Sequence, residues 1–159
     1  VISYERLTPH RWSAAYNNLG FRDREASLRV CPVTAKDPLS IARQFNIEYR
    51  AADAAASPYL ALAAIVHAGT QGIEDDLRAP APTQQDLSLL SPEDLRARGF
   101  VRLPETLEAA LDVFAVDPVV TGWFPDAFAA VYRAHKTAEI AHLADMDTLA
   151  RCAAYEQTY

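Results

Sequence analysis

The feature that most limits what this chain can fold into is a change of hydrophobic rhythm near Ser57. Upstream, Glu25 to Val33 and Gln44 to Ala52 alternate apolar with polar residues, the period of two that sends successive side chains to opposite faces of a strand. Between them, Thr34 to Ser40 (TAKDPLS) reads as a turn, which predicts an antiparallel pair. Downstream, Ser57 is a candidate N-cap and Pro58 suits the first helical position. Leu60, Ala64, Ile65 and Ala68 then recur at helical spacing, predicting a helix to about Leu77 that is weakened at Gly69 and Gly72. Arg78 to Pro92, rich in Pro, Gln, Asp and Ser, is expected to be an irregular surface excursion. Pro104-Glu105-Thr106 leads into a short helix, Leu107 to Phe114, and Pro125 opens a long one from Asp126 to about Tyr155. Phe128, Val131, Tyr132, His135, Ile140 and Leu143 are its expected buried stripe. Strands first and helices after predict an α+β fold.

Half of the 159 residues are apolar, enough for one domain to bury a core without disulfides or metal staples. The two cysteines, Cys31 and Cys152, fit no ligand spacing and read as small buried hydrophobes, consistent with a reduced, cytoplasmic setting. The most apolar run, Tyr59 to Ala68, is too short to cross a bilayer, so no membrane partner is expected. A net charge of -6 argues against neutralising a nucleic-acid backbone through the overall field, so any anion site must be local. The chain opens at Val1, without an initiator methionine or a signal-like segment, and is expected to be a piece of a longer polypeptide.

The residues that carry chemistry begin in NIEYRAAD, where strand alternation places Asn46, Glu48 and Arg50 on one face and Ile47 and Tyr49 on the other. By itself this pattern also describes a solvated face with a cross-strand ion pair. A second segment, FRDREASLRV, supplies Arg22, Arg24 and Arg29 within eight residues. Such a cluster opposite a carboxylate-bearing strand suits a polyphosphate or a doubly charged substrate. Arg24 and Arg29 differ in strand parity, so both reach one site only if Arg24 lies in the turn before the strand or a bulge intervenes. A third segment, SYERLTPHRW, adds Arg6. No glycine-rich phosphate loop is present, which leaves side chains to hold any nucleotide.

Taken in order, SYERLTP, NLGFRDREASLRVCPV and NIEYRAADAAASPYLALAAIVHAGTQGI resemble the C-terminal half of the glutamine synthetase catalytic domain, continuously from about Ser3 to Leu77 and more loosely beyond. The resemblance makes residues 1–159 the C-terminal portion of such a domain. It implies an ATP-dependent ligase that phosphorylates the side-chain carboxylate of glutamate and lets ammonia or an amine displace the phosphate. It assigns Arg6 to the glutamate α-carboxylate, Arg24 to the reacting phosphoryl and glutamate, and Arg29 to the ATP phosphates. Arg50 is assigned to the carboxylate being activated, and Glu48 to one ligand of a Mg²⁺ or Mn²⁺ ion beside the nucleotide. It further implies a ringed homo-oligomer with active sites between subunits, and most metal ligands upstream of this segment. The isolated chain is accordingly expected to be inactive.

Three departures from the family pattern bear on function. Trp12 stands where the family carries a glutamate that helps deprotonate ammonium, which points to an organic amine as nucleophile and makes Trp12 the candidate selectivity residue. Asn46 replaces a nucleotide-positioning arginine, with Arg43 the nearby basic candidate for ATP. No tyrosine stands near Leu87-Ser88, where many bacterial relatives carry a regulatory one. Of the histidines, His67 reads as a packing residue, His135 and His142 as structural or solvated, and His10 as a neighbour of the substrate loop. Trp123 and Phe124 read as core aromatics. Retention of Arg6, Arg24, Arg29, Glu48 and Arg50 together favours an enzyme over a non-catalytic structural or binding relative, because a scaffold gains nothing from desolvating such charges. An anion- or nucleic-acid-binding module is the weakest reading.

Overall fold

A computed structural model describes residues 2–158. Among them are three strands, β1 (Tyr16–Phe21), β2 (Ala26–Val30) and β3 (Ile47–Tyr49). There are seven α-helices: α1 (Pro38–Gln44), α2 (Pro58–Glu74), α3 (Pro92–Ala97), α4 (Leu107–Val116), α5 (Pro118–Gly122), α6 (Asp126–Leu143) and α7 (Thr148–Glu156). This is the α+β arrangement that the change of rhythm predicts. No helix among the described residues is long and apolar enough to cross a membrane.

The residues divide into two compact units. One consists of Arg6–Ala52 and Arg78–Leu103 and holds the sheet, in the order β1-β2-β3. β2 and β3 pair antiparallel, as the alternation requires, with Leu28, Arg29 and Val30 opposite Tyr49, Glu48 and Ile47. β1 is a strand that alternation does not reveal. It runs parallel to β2 with an irregularity between Tyr16 and Leu19, and its other edge is closed from far along the chain. Thr83 exchanges backbone bonds with Leu19 and Phe21, at 2.7 and 2.9 Å, while Val101 and Leu103 bond to Asn17 and Ala15. The supposed excursion at Arg78 to Pro92 therefore supplies an edge to the sheet, then a 3-10 turn at Leu87–Leu89 with Leu87 buried. The small core of this unit comprises Leu7, Ala14, Ala15, Ala26 and Leu87.

The expected turn at Thr34 to Ser40 is half helix, because the Asp37 carboxylate accepts from the Ser40 N–H at 2.9 Å and starts α1 at Pro38. α3 is also unforeseen, opened by Pro92 behind the Ser91 cap.

The other unit gathers the residues before Arg6 with Asp53–Leu77 and the chain from Pro104 onward. α2 starts at Pro58 after Ser57, although the Ser57 side chain makes no capping bond. α4, α5 and α6 pack around Leu107, Leu111 and Leu143, with Phe128 stacked on Tyr132 at 5.9 Å and Phe114 edge-on to Tyr132 at 6.1 Å. Two details correct the sequence reading here. The long terminal helix is broken, because Asp147 accepts from the Ala150 N–H at 2.8 Å and caps a separate α7. Val131 and His135 are exposed, so the buried stripe is narrower than the periodicity suggests. His67 stacks on Trp123 at 5.8 Å, and Cys152 is exposed, whereas Cys31, in the sheet unit, is half-buried.

Gly20 marks the tightest approach in the sheet. A Cβ built there would lie 2.5 Å from the Ala26 Cβ and 2.8 Å from the Asp23 Cβ, and Ala26 is fully buried. Neither neighbour can swing away, since a Cβ moves only with its backbone. Gly20→Ala should therefore push β1 from β2 and destabilise the protein by about 1–3 kcal/mol, measurable as a lower denaturant midpoint. An unchanged midpoint would show that β1 is not locked against β2.

Candidate active site

The centre of the charged cluster is one carboxylate. The β2/β3 register sets Arg29 opposite Glu48. Arg29 Nη1 lies 3.0 Å from Glu48 Oε2, and Arg50 Nη1 lies 2.6 Å from Glu48 Oε1, so each oxygen faces a different guanidinium. The two arginine side chains are largely covered, at 13% and 17% exposed, whereas that of Glu48 is 42% exposed. The hydrogen bond from Arg29 holds the Glu48 carboxyl below the usual carboxylate range, aided by the Arg50 charge and opposed by partial burial. Cys31 Sγ lies 3.8 Å from the same carboxylate.

Arg50 is a hub. Its Nε donates to the Arg24 carbonyl at 2.9 Å and its Nη2 to the Trp12 carbonyl at 2.8 Å. All three of its nitrogens are thus engaged, Nη1 by Glu48 and the other two by main-chain carbonyls. Arg29 Nε is buried without a partner among the described residues. Arg24 lies in the turn before β2, one of the two placements that the parity argument allows, with its guanidinium 4.9 Å from the Trp12 ring centre.

Arg6 is bound to main chain. Its Nη1 donates to Ser13 Oγ at 2.9 Å and the Arg50 carbonyl at 3.3 Å, and its Nη2 to the carbonyls of Ala51 and Ala52 at 3.3 and 2.8 Å. It clamps the segment leading to Trp12 onto the chain leaving β3. Trp12 itself is 65% exposed and has φ +57°, in the left-handed region. Glu25, to which the sequence reading gives no role, accepts from the backbone N–H groups of His10 and Trp12 at 2.9 and 2.8 Å. Main-chain partners leave no trace in a sequence, so only its place in an arginine-flanked turn beside the substrate loop hints at it.

Other candidates stand apart. Arg43 is exposed in the last turn of α1, without a hydrogen bond or ion pair among the described residues. Asn46 turns its amide back to the Gln44 carbonyl at 3.0 Å. His10 Nε2 lies 3.0 Å from Ser88 Oγ and 3.5 Å from Asp86 Oδ2, linking the substrate loop to the 3-10 turn.

The carboxylate oxygens of Glu48 suit a hard cation such as Mg²⁺ or Mn²⁺, which takes about six oxygen ligands. Among the described residues, however, no group of three or more His, Cys, Asp or Glu could hold a metal ion. Glu48 fits as a single ligand, and these residues do not complete a cation cage.

Comparison with known proteins identifies the family. The family model described as "Glutamine synthetase, catalytic domain" matches residues 1–153. Gamma-glutamylpolyamine synthetase GlnA3 of Streptomyces coelicolor is 33% identical over 156 residues, covering 97% of this chain and 32% of that protein. Glutamine synthetase of Staphylococcus epidermidis is 39% identical over 111 residues, covering 70% of this chain and 23% of that protein. A crystal structure described as a novel glutamine synthase homolog matches with a TM-score of 0.76 and 38% identity, over 99% of this chain and 33% of that one. The chain belongs to the glutamine synthetase family, a family of ligases. It spans about a third or less of the length of these relatives.

The ion pairs on Glu48 make a pH prediction. A carboxyl whose pKa is depressed by folding adds stability above its ordinary value of 4.5, and that stability is lost as the pH falls through the lower folded value. Since Glu48 is partly solvated and screened, Glu48→Gln should cost no more than about 1 kcal/mol near neutral pH. The difference from wild type should shrink steadily as the pH drops below about 4. Urea melts of both proteins over that range check this, and a gap that does not vary with pH would contradict it.

Proposed function

We propose that the full-length protein is an ATP-dependent ligase that joins the side-chain carboxylate of glutamate to an organic amine through a γ-glutamyl phosphate. The observation that carries this reading is the Glu48 carboxylate shared by Arg29 and Arg50, with the turn that bears Arg24 tied to the same Arg50 guanidinium. In the first step a glutamate carboxylate oxygen attacks the γ-phosphorus of ATP and ADP leaves. In the second, the amine nitrogen attacks the acyl carbon, phosphate leaves, and the nitrogen loses a proton to give the amide. By the family resemblance Arg50 orients the carboxylate and Arg6 takes the α-carboxylate, for which Arg6 has to release part of its hold on Ser13 and the main chain. Arg24 and Arg29 stabilise charge on the transferring phosphoryl group and the nucleotide phosphates, with Arg43 nearer the nucleotide. Mg²⁺ or Mn²⁺, with Glu48 as one ligand, would supply neutralisation of the phosphates when bound. The same reading takes the working form to be a ringed, cytoplasmic homo-oligomer and the isolated chain to be inactive.

Two features support an amine rather than ammonia. At position 12 an exposed indole can pack against alkyl methylenes and attract a cation through its ring quadrupole, where a carboxylate would favour a small ammonium ion. The relative matching 97% of the chain is named a gamma-glutamylpolyamine synthetase.

The full-length protein assayed with glutamate, ATP and Mg²⁺ should show a higher kcat/KM for at least one mono- or diamine than for ammonium. Trp12→Glu should move that ratio toward ammonium by about tenfold, equivalent to about 1.4 kcal/mol. Ammonium matching every amine would overturn the amine reading, and an unchanged ratio in Trp12→Glu would remove Trp12 as its cause. No turnover with any nucleophile would favour a non-catalytic relative. Arg50→Lys keeps the charge but loses the planar fork, so kcat/KM for glutamate should fall about 30-fold, or about 2 kcal/mol. A change within about threefold would remove Arg50 from carboxylate binding.

A further inference from the structure

We infer that Glu25 is a positioning residue for nucleophile selection, acting as the latch that fixes the loop bearing Trp12. The inference rests on the amine-ligase reading for its kinetic consequence and on geometry alone for the latch itself.

His10 and Trp12 both lie in the left-handed region, at φ +63° and +57°, although neither is glycine. Side chains with a Cβ hold that conformation only when their surroundings over-determine it. Here the backbone N–H groups of both residues are held by one carboxylate. Glu25 Oε2 accepts from the His10 N–H and Oε1 from the Trp12 N–H, so both oxygens are spent on the two strained residues. These are charge-assisted bonds to backbone donors, stronger than their neutral counterparts. Glu25 is itself held from behind, since its N–H donates to Asp23 Oδ1 at 2.9 Å.

The latch has a defined output. With the peptide before Trp12 fixed, the Trp12 carbonyl receives Arg50 Nη2 at 2.8 Å and the indole lies 4.9 Å from the Arg24 guanidinium. Glu25 thus sets where the ring stands relative to the two arginines proposed to handle the carboxylate and the phosphoryl group. Its own oxygens, both engaged by N–H groups, serve the loop and not the nucleophile.

The test compares full-length wild type with Glu25→Ala and with Glu25→Gln, which keeps the volume but replaces one acceptor by a donor. Hydrogen exchange of the peptide covering residues 6–13 reads the latch directly. Both variants should exchange there about tenfold faster or more, with β2 and β3 unchanged. Unaltered exchange in the loop overturns the latch, and equal loosening of the strands shows a general structural role instead. Steady-state kinetics with 1,4-diaminobutane and with ammonium chloride read the selection. KM for the diamine should rise about fivefold or more while KM for glutamate stays within about twofold. A parallel rise in both constants, or in neither, overturns the selectivity role. If wild type uses neither nucleophile, the ligase reading fails, while the exchange measurement still decides the latch.

Discussion

The carboxylate of Glu48, shared between Arg29 and Arg50, is the interaction on which the rest of the sheet unit depends. It ties β2 to β3 across the register and is the one counter-charge that two largely covered guanidiniums share. Because the Glu48 side chain is 42% exposed, the pair sets where the two guanidiniums stand more than it adds to stability. Because Arg50 is held at Nη1, its other nitrogens arrive at the carbonyls of Trp12 and Arg24. The loop that carries Trp12 and the turn before β2 therefore meet at the same guanidinium.

What could be read from the sequence was whatever is encoded locally. The β2/β3 pair follows from alternation and the start of α2 from Ser57-Pro58, signals contained within a few residues. β1 escaped because YNNLGF has no clean alternation and its edge is completed by Thr83, Val101 and Leu103, more than sixty positions away. The break after α6 was hidden because a single capping bond from Asp147 decides it. In the site, side-chain pairing was legible: parity put Glu48 and Arg50 together and left Arg24 either a turn or a bulge, of which the turn is found. Bonds to main chain were not, which is why Glu25 was passed over and why Arg6 presented itself only as a ligand contact. Arg43, chosen by alignment with a basic position, stands in the last turn of α1, where a cation also complements the helix dipole.

Relative to the family pattern, the substrate loop has exchanged chemistry for geometry. The acid expected at position 12 is an indole, while an acid thirteen residues later, Glu25, turns its oxygens onto the loop backbone. A carboxylate with both oxygens occupied by N–H donors is a weak candidate for taking a proton from a nucleophile.

The grip of Arg6 has a consequence for how this segment can diverge. Three of its four bonds end on carbonyl oxygens of Arg50, Ala51 and Ala52, which every amino acid carries. The clamp is therefore indifferent to side-chain identity at 51 and 52, and those two positions can drift through evolution while the arginine that reads them stays fixed. A family could retune the surface beyond β3 in this way, residue by residue, without loosening the loop that Arg6 holds.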